Sequence, residues 1–115
     1  MHYPLMKLAK VIRSKNAGPF ELTIDILFKN KQIYKSVKEA HLFTDKTIAS
    51  LYNIQPEDVL ELVFFDNANA LKITIPRSHP SGSAGERDTY GAQQYAPILT
   101  ISIPDELFEE VRAYV

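Results

Sequence analysis

Hydrophobic and polar residues alternate most regularly between Phe20 and Phe28. Apolar side chains at positions 20, 22, 24, 26 and 28 are separated by Glu21, Thr23 and Asp25, and only position 27 interrupts the alternation. Successive side chains of a strand point to opposite faces, so a period of two is typical of a half-buried strand. The pattern predicts a β-strand over residues 20–28.

Two further apolar runs predict a β-hairpin. Residues 59–65 are apolar apart from Glu61, and apolar residues at 71, 73 and 75 alternate with Lys72 and Thr74. The intervening Asp-Asn-Ala-Asn over residues 66–69 favours a turn. Residues 98–103 predict a fourth strand, whereas residues 5–13 fit either a helix or a strand.

The helices are predicted by apolar stripes and by residues that favour helix starts. Apolar residues at 33, 37 and 40 share one face of a helix over residues 31–40. Thr44 is suited to cap a second helix, Pro56 to begin a short helical turn and Pro104 to begin a last helix. The helical units before residue 59 separate the strand over 20–28 from the hairpin, and the last helix follows residues 98–103.

This order of elements predicts an α+β fold in a single domain over residues 1–115. We expect a mixed four-stranded sheet of split βαβ type, with helices packed mainly on one face. The strands over 20–28 and 59–65 are expected to be parallel neighbours, with the strand over 71–75 antiparallel to both. The start of the first and the end of the third would then lie at the same end of the sheet, bringing residues 13–19 and 77–97 together.

Composition excludes several classes of function. The chain has 115 residues with 45% hydrophobic and 23% charged residues, which suits one globular core. It has no cysteine, so disulfides and thiolate chemistry are excluded. A net charge of -1 with dispersed lysines argues against nucleic-acid binding. No signal peptide or membrane-spanning run is evident, and we expect a cytoplasmic protein.

All four glycines lie in two polar segments, residues 13–20 and 77–97. In the first, Arg13, Ser14, Lys15 and Asn16 offer a guanidinium, a hydroxyl, an ammonium and an amide, and Gly18 follows before a proline. A small carboxylate or phosphate is the natural ligand of such donors. The alternative is a solvated turn that joins two elements.

The second segment is a 21-residue stretch without apolar periodicity, from Arg77 to Pro97. Loops of this length are usually functional or disordered, and its varied polar residues favour an ordered loop that contributes to a site. Ser81, Gly82 and Ser83 fit a backbone nest for an anion, although the lysine of a phosphate-binding loop is missing. The substrate-binding residues predicted here are Arg77, Ser81, Gly82, Ser83, Arg87, Gln93 and Gln94.

His79, Asp88 and Tyr90 are the candidates for proton transfer in this segment. An imidazole titrates near neutrality, which suits a general acid or base. The alternatives are an exposed loop histidine at 79 and a carboxylate at 88 that only holds neighbouring arginines. The three histidines of the chain show no metal-ligand spacing, so no metal and no cofactor are expected.

Several stretches of the chain resemble a known small family. They are LAKVIRSKNAGPF over 8–20, FFD over 64–66, ITIPR over 73–77, SGS over 81–83 and YGAQQ over 90–94. The family they resemble is a small bacterial and fungal domain of unknown function, often encoded beside acyclic-terpene-utilisation-like proteins. The resemblance extends over about Leu5 to Ile103 and implies no catalytic residues.

The start of the chain is also similar to the C-terminal domain of those larger proteins. The shared pattern is Leu5, the pair Leu8-Ala9, then Arg13-Ser14 and a nearby glycine. This resemblance implies the small subunit of a two-component assembly. The larger proteins commonly have Gly-Asp-Lys-Gly after the arginine-serine pair, whereas this chain has Lys-Asn-Ala-Gly over 15–18, so chemistry carried by that aspartate would not transfer.

Two hypotheses of function follow. In the first, the chain is a subunit that binds a small anionic carboxylate or acyl substrate for a hydratase, lyase or isomerase step. In the second, it is a non-catalytic interaction module whose partner is a larger chain or a second copy in a homo-oligomer. Exposed Leu27 and Phe65 would then belong to the interface.

Overall fold

A computed structural model describes residues 4–18, 20–76 and 96–115. It contains strands β1 (Ala9–Asn16), β2 (Glu21–Phe28), β3 (Glu61–Phe65) and β4 (Ala70–Pro76). Its helices are α1 (Lys31–Glu39), α2 (Asp45–Tyr52) and α3 (Asp105–Val111). Short 3-10 turns lie at Leu5–Lys7, Pro56–Asp58, Ala96–Thr100 and Arg112–Tyr114. The predicted α+β class is confirmed.

The four strands form an antiparallel sheet in the order β1-β2-β4-β3. The expectation of a mixed sheet with β2 and β3 as parallel neighbours is wrong, because β4 lies between them. The reason is visible in burial: Ile24 and Ile26 of β2 and Leu71 and Ile73 of β4 are all 0% exposed. The two most regularly apolar strands occupy the centre, where both edges are hydrogen-bonded.

The helices cover one face of the sheet, as predicted. Buried residues of α1, α2 and α3 join the inward side chains of β2 and β4 in one hydrophobic core. Asn30 caps α1 by accepting a hydrogen bond from the amide of Ile33 at 3.0 Å, and Thr44 caps α2 by accepting one from the amide of Thr47 at 3.2 Å. Asn53 ends α2 in the left-handed conformation, with φ 56°.

The structure decides one segment that fitted either a helix or a strand, and it differs from the prediction for another. Residues 9–16 form the strand β1, because Ile12 and Ser14 pair with Ile26 and Ile24 of β2. Residues 98–103 are not a strand: Ile98 lies in a 3-10 turn and its carbonyl accepts a hydrogen bond from the amide of Ile101 at 3.1 Å. The spacing of three places both isoleucines in the core without a strand partner among the described residues.

Candidate functional site

The first predicted anion-binding segment is divided between the two faces of β1. Arg13 and Lys15 lie on the face that no described helix covers, whereas Ser14 and Asn16 lie on the helix-covered face. Nε of Arg13 is 3.6 Å from a carboxylate oxygen of Asp25, and its side chain is 64% exposed. Strand alternation therefore prevents the four consecutive donors from converging on one ligand.

The β1–β2 turn and the end of β4 lie at the same end of the sheet, while the predicted meeting of residues 13–19 with residues 77–97 stays a prediction. Glu21 at the start of β2 pairs with Pro76 at the end of β4, and Asn16 pairs with Leu22. Gly18 lies in the adjacent β1–β2 turn with φ 103°, a conformation that favours glycine. The remaining predicted residues lie outside the described residues, and their roles stay predictions: Arg77, His79, Ser81, Gly82, Ser83, Arg87, Asp88, Tyr90, Gln93 and Gln94.

A second site, absent from the sequence-based prediction, lies between α1 and the β3–β4 turn. It is a groove of about 480 Å³, which falls within the range of small-molecule sites. Three lysines give it a positive lining against two carboxylates, and a histidine adds a further polar group. The lining residues are Lys31, Tyr34, Lys35, Lys38, Glu39, His41 and Asp66.

Helix α1 positions the cationic side of this groove. Lys31, Lys35 and Lys38 are spaced by four and three residues, so their side chains follow one face of the helix. The opposite face buries Ile33 and Val37 in the core, which fixes the rotation of the helix. The lysines therefore share one side of α1 because the apolar stripe occupies the other.

Tyr34 connects α1 to the β3–β4 turn. Its hydroxyl donates a hydrogen bond to Oδ1 of Asp66 at 2.5 Å, and Nζ of Lys38 lies 2.9 Å from the same oxygen. The Lys38 ammonium is also 5.9 Å from the Tyr34 ring centroid and 5.7 Å from that of Phe64, within cation–π range. Asp66 is thus held by two donors, and its charge is already partly neutralised.

The protonation of this pair depends on its surroundings. Burial, followed by the hydrogen bond to Asp66, raises the pKa of Tyr34 from 10.0 to about 12. The hydrogen bonds from Tyr34 and then Lys38 lower the pKa of Asp66 below its ordinary value of 3.8, and the charge of Lys31 adds to the effect. Near neutral pH the groove therefore contains a neutral tyrosine and an ionised aspartate.

The contact between Tyr34 and Asp66 should make folding stability pH-dependent at both extremes. The stabilisation by the Asp66 carboxylate is present above its ordinary pKa of 3.8, and it is lost as pH falls through the lower pKa that this carboxyl has in the folded protein. The stabilisation by the Tyr34 hydroxyl is present below its ordinary pKa of 10.0, and it is lost as pH rises towards its folded-state pKa of about 12. We expect the difference in free energy of unfolding between the parent and Tyr34→Phe to shrink between about pH 7 and about pH 11, measured by urea unfolding. A difference that stays constant over this range would contradict the assignment.

The groove suits recognition of an anion. Lysine ammonium groups are compact charges with several donors, and the imidazole of His41 adds a further polar group at the end of α1. His41 is held there with φ 53°, and its amide donates to the carbonyl of Lys38 at 3.3 Å. In the part of the chain that the structure describes, no group of three or more histidine or acidic residues is arranged to hold a metal.

Sequence reasoning missed this groove although part of its signal was present. The lysine spacing on α1 is visible in the sequence, but such spacing is equally typical of an ordinary solvent-facing helix surface. Asp66 was interpreted only as a turn residue. No local pattern indicated that residue 66 would lie beside residues 34 and 38, since this contact depends on how the hairpin docks against α1.

Fold and site together define a class of protein: a small α+β domain with a one-sided antiparallel sheet and a lysine-lined groove. Comparison with known families then places it. The chain matches the model of the family described as "Domain of unknown function (DUF4387)" over residues 5–102, and it belongs to that family. No curated protein and no solved structure matches the chain. Within the described ranges, no helix is both long and apolar enough to cross a membrane.

Proposed function

We propose that this chain is a non-catalytic accessory domain that binds a small carboxylate in the groove between α1 and the β3–β4 turn. The observation that carries the proposal is the lining of the groove, in which three lysines face two carboxylates. One of these carboxylates, Asp66, is already bonded to Tyr34 and Lys38. The positive charges of Lys31 and Lys35 are therefore available to a ligand.

A carboxylate fits this arrangement better than a metal cation, because most of the charged groups that line the groove are ammonium groups. Lys31 and Lys35 are exposed, so each would contribute a charge-assisted hydrogen bond of modest strength in high dielectric. The Tyr34 hydroxyl is occupied by Asp66, which leaves ammonium and imidazole groups to contact the ligand. Such a site provides millimolar to high-micromolar affinity, about 4 to 5 kcal/mol.

Binding can be tested by titrating isotope-labelled protein with succinate and observing backbone amide shifts. We expect the shifts to centre on Lys35, His41 and Asp66. The double variant Lys31→Glu/Lys35→Glu should weaken binding about tenfold, because each lysine contributes about 0.5 to 1 kcal/mol to binding. The matched control is Lys10→Glu/Lys46→Glu, which makes the same charge change outside the groove.

Two results would contradict the proposal. One is an equal loss of affinity in the control double variant, because the effect would then reflect net charge alone. The other is tight binding of inorganic phosphate without binding of succinate, because the groove would then select a different anion.

A second candidate is the anion site first predicted around Arg13 and Lys15, with a hydratase, lyase or isomerase step in the assembled protein. The observation that favours it is the pairing of Glu21 with Pro76, which places the β1–β2 turn beside the residue that precedes Arg77. The same titration separates the two sites. Shifts that surround Arg13 and vanish in Arg13→Ala, with the groove unaffected, would favour the second candidate.

The sequence resemblance supports one further part of the proposal, that the domain works as the small subunit beside a larger acyclic-terpene-utilisation-like protein. In that assembly it would supply a ligand site or a docking surface to the larger chain. Co-expression followed by gel filtration tests this association. Separate elution of the two chains at micromolar concentration would contradict it.

A further inference from the structure

The face of the sheet opposite the described helices carries three cross-strand rows, and the first is apolar. Val11, Leu27, Ala70 and Phe65 are neighbours in register across β1, β2, β4 and β3. Val11 is 38% exposed and Phe65 is 46% exposed. An apolar row on an exposed sheet face is typical of a surface that another molecule covers.

The second row is charged across most of its width. Arg13, Asp25, Lys72 and Val63 are neighbours in register, so their charges read positive, negative, positive and then neutral. Arg13 and Asp25 are 3.6 Å apart. Val63 is 36% exposed and extends the apolar surface along the β3 edge.

The third row has opposite charges at its two ends and is buried at its centre, where Thr23 is 3% and Thr74 is 7% exposed. Lys15, Thr23, Thr74 and Glu61 are neighbours in register. The two threonine hydroxyls are 3.4 Å apart, and that of Thr74 donates to a carboxylate oxygen of Glu61 at 3.2 Å. The β1 edge of this row is positive and the β3 edge is negative.

We infer that a second copy of this chain packs on this face of the sheet, about a two-fold axis parallel to the strands. Such an axis places β1 of one copy opposite β3 of the other, because it reverses the order of the strands across the sheet. Each row keeps its position along the strands, so it faces the same row of the second copy. Sheets that pack face to face lie about 10 Å apart with nearly aligned strands.

This symmetry brings at least one complementary pair together in every row, while Arg13 lies opposite the apolar Val63. Lys15 lies opposite Glu61 of the second copy, Asp25 lies opposite Lys72, and Val11 lies opposite Phe65. An axis perpendicular to the strands would instead place Arg13 opposite Arg13 and the apolar row opposite the row with charged ends. Like charges across an interface are unfavourable, so the charge pattern selects the axis parallel to the strands.

Sedimentation velocity of the full chain between about 1 and about 100 μM tests the inference, since small interfaces associate in this range. We expect a concentration-dependent dimer, and Phe65→Asp to raise its dissociation constant at least tenfold. Tyr114→Asp is the matched control, because Tyr114 is similarly exposed at 49% but lies in the C-terminal turn. Circular dichroism spectra should show that both variants are folded.

A charge exchange tests the orientation of the two copies. Lys15→Glu alone should weaken the dimer, and the double variant Lys15→Glu/Glu61→Lys should recover most of the loss, because each copy then presents the exchanged pair. A monomer throughout the concentration range, a dimer unaffected by Phe65→Asp, or a double variant weaker than Lys15→Glu alone would each overturn the inference.

Discussion

Replacing Ile24 with alanine is expected to lower the free energy of unfolding by about 2 to 5 kcal/mol. Ile24 is 0% exposed and lies in β2, where it pairs with Ser14 on one side and Ile73 on the other. Truncation removes buried apolar surface and leaves a cavity in the centre of the sheet, where the strands on both sides limit collapse. Because domains of this size are stable by about 5 to 15 kcal/mol, the loss is a large fraction of the total.

Urea unfolding followed by far-UV circular dichroism measures this change, with an unchanged dependence on urea showing that the same surface unfolds. The control is Val63→Ala, which truncates a β-branched residue that is 36% exposed on the edge strand β3. We expect it to cost less than about 1 kcal/mol. Equal losses in the two variants would mean that β2 is not the centre of the core.

Replacing Tyr34 with alanine should destabilise the protein by about 3 to 5 kcal/mol. The side chain is 1% exposed, and its ring centroid lies 6.1 Å from that of Phe28 and 6.0 Å from that of Phe64. The substitution removes both aromatic contacts and the hydroxyl that bonds to Asp66. Because these contacts join α1 to β2, β3 and the β3–β4 turn, the groove should also lose its shape.

Tyr34→Phe separates the ring from the hydroxyl. It keeps the aromatic packing and removes one hydrogen bond, so we expect a loss of about 1 kcal/mol in the same unfolding measurement. Hydrogen exchange at the amides of α1 should remain protected in Tyr34→Phe and become faster in Tyr34→Ala. If the phenylalanine variant lost as much stability as the alanine variant, the hydroxyl rather than the ring would carry the contribution.

Short-range patterns predicted most of the secondary structure. The strand predicted over 20–28 is observed as β2 (Glu21–Phe28), and the helix predicted over 31–40 is observed as α1 (Lys31–Glu39). The hairpin is observed as β3 and β4, with Asn69 in the left-handed conformation at φ 52°. These elements were predictable because alternation, capping and turn residues act within a few positions of one another.

Local patterns left one short apolar segment open and assigned another incorrectly. Residues 5–13 fitted two periods, and pairing with β2 decided in favour of a strand from Ala9 onwards. Residues 98–103 are rich in isoleucine, yet they lie in a 3-10 turn and irregular chain before Pro104. Strand propensity describes how a residue fits a sheet, and without a neighbouring strand it decides little.

The candidate sites, too, were predicted in part from local patterns and decided in part by tertiary contacts. The sequence placed Arg13 to Gly18 beside the end of β4, because an antiparallel third strand returns the chain to the start of β2 whether or not the two are neighbours. It did not predict that Arg13 and Ser14 would lie on opposite faces, since the segment had not been assigned as a strand. The groove depends on Asp66 meeting Tyr34, a contact across 32 positions of the sequence.

The sequence by itself determined the α+β class, the apolar faces of the central strands and α1, and the lysine spacing along that helix. Tertiary structure decided the order of the strands, the face on which each polar residue lies, and the groove that joins α1 to the β3–β4 turn. The physical reason is range: hydrogen bonds and side-chain periodicity specify each element locally, whereas the burial of apolar surface selects one arrangement of the elements among several that the local patterns allow.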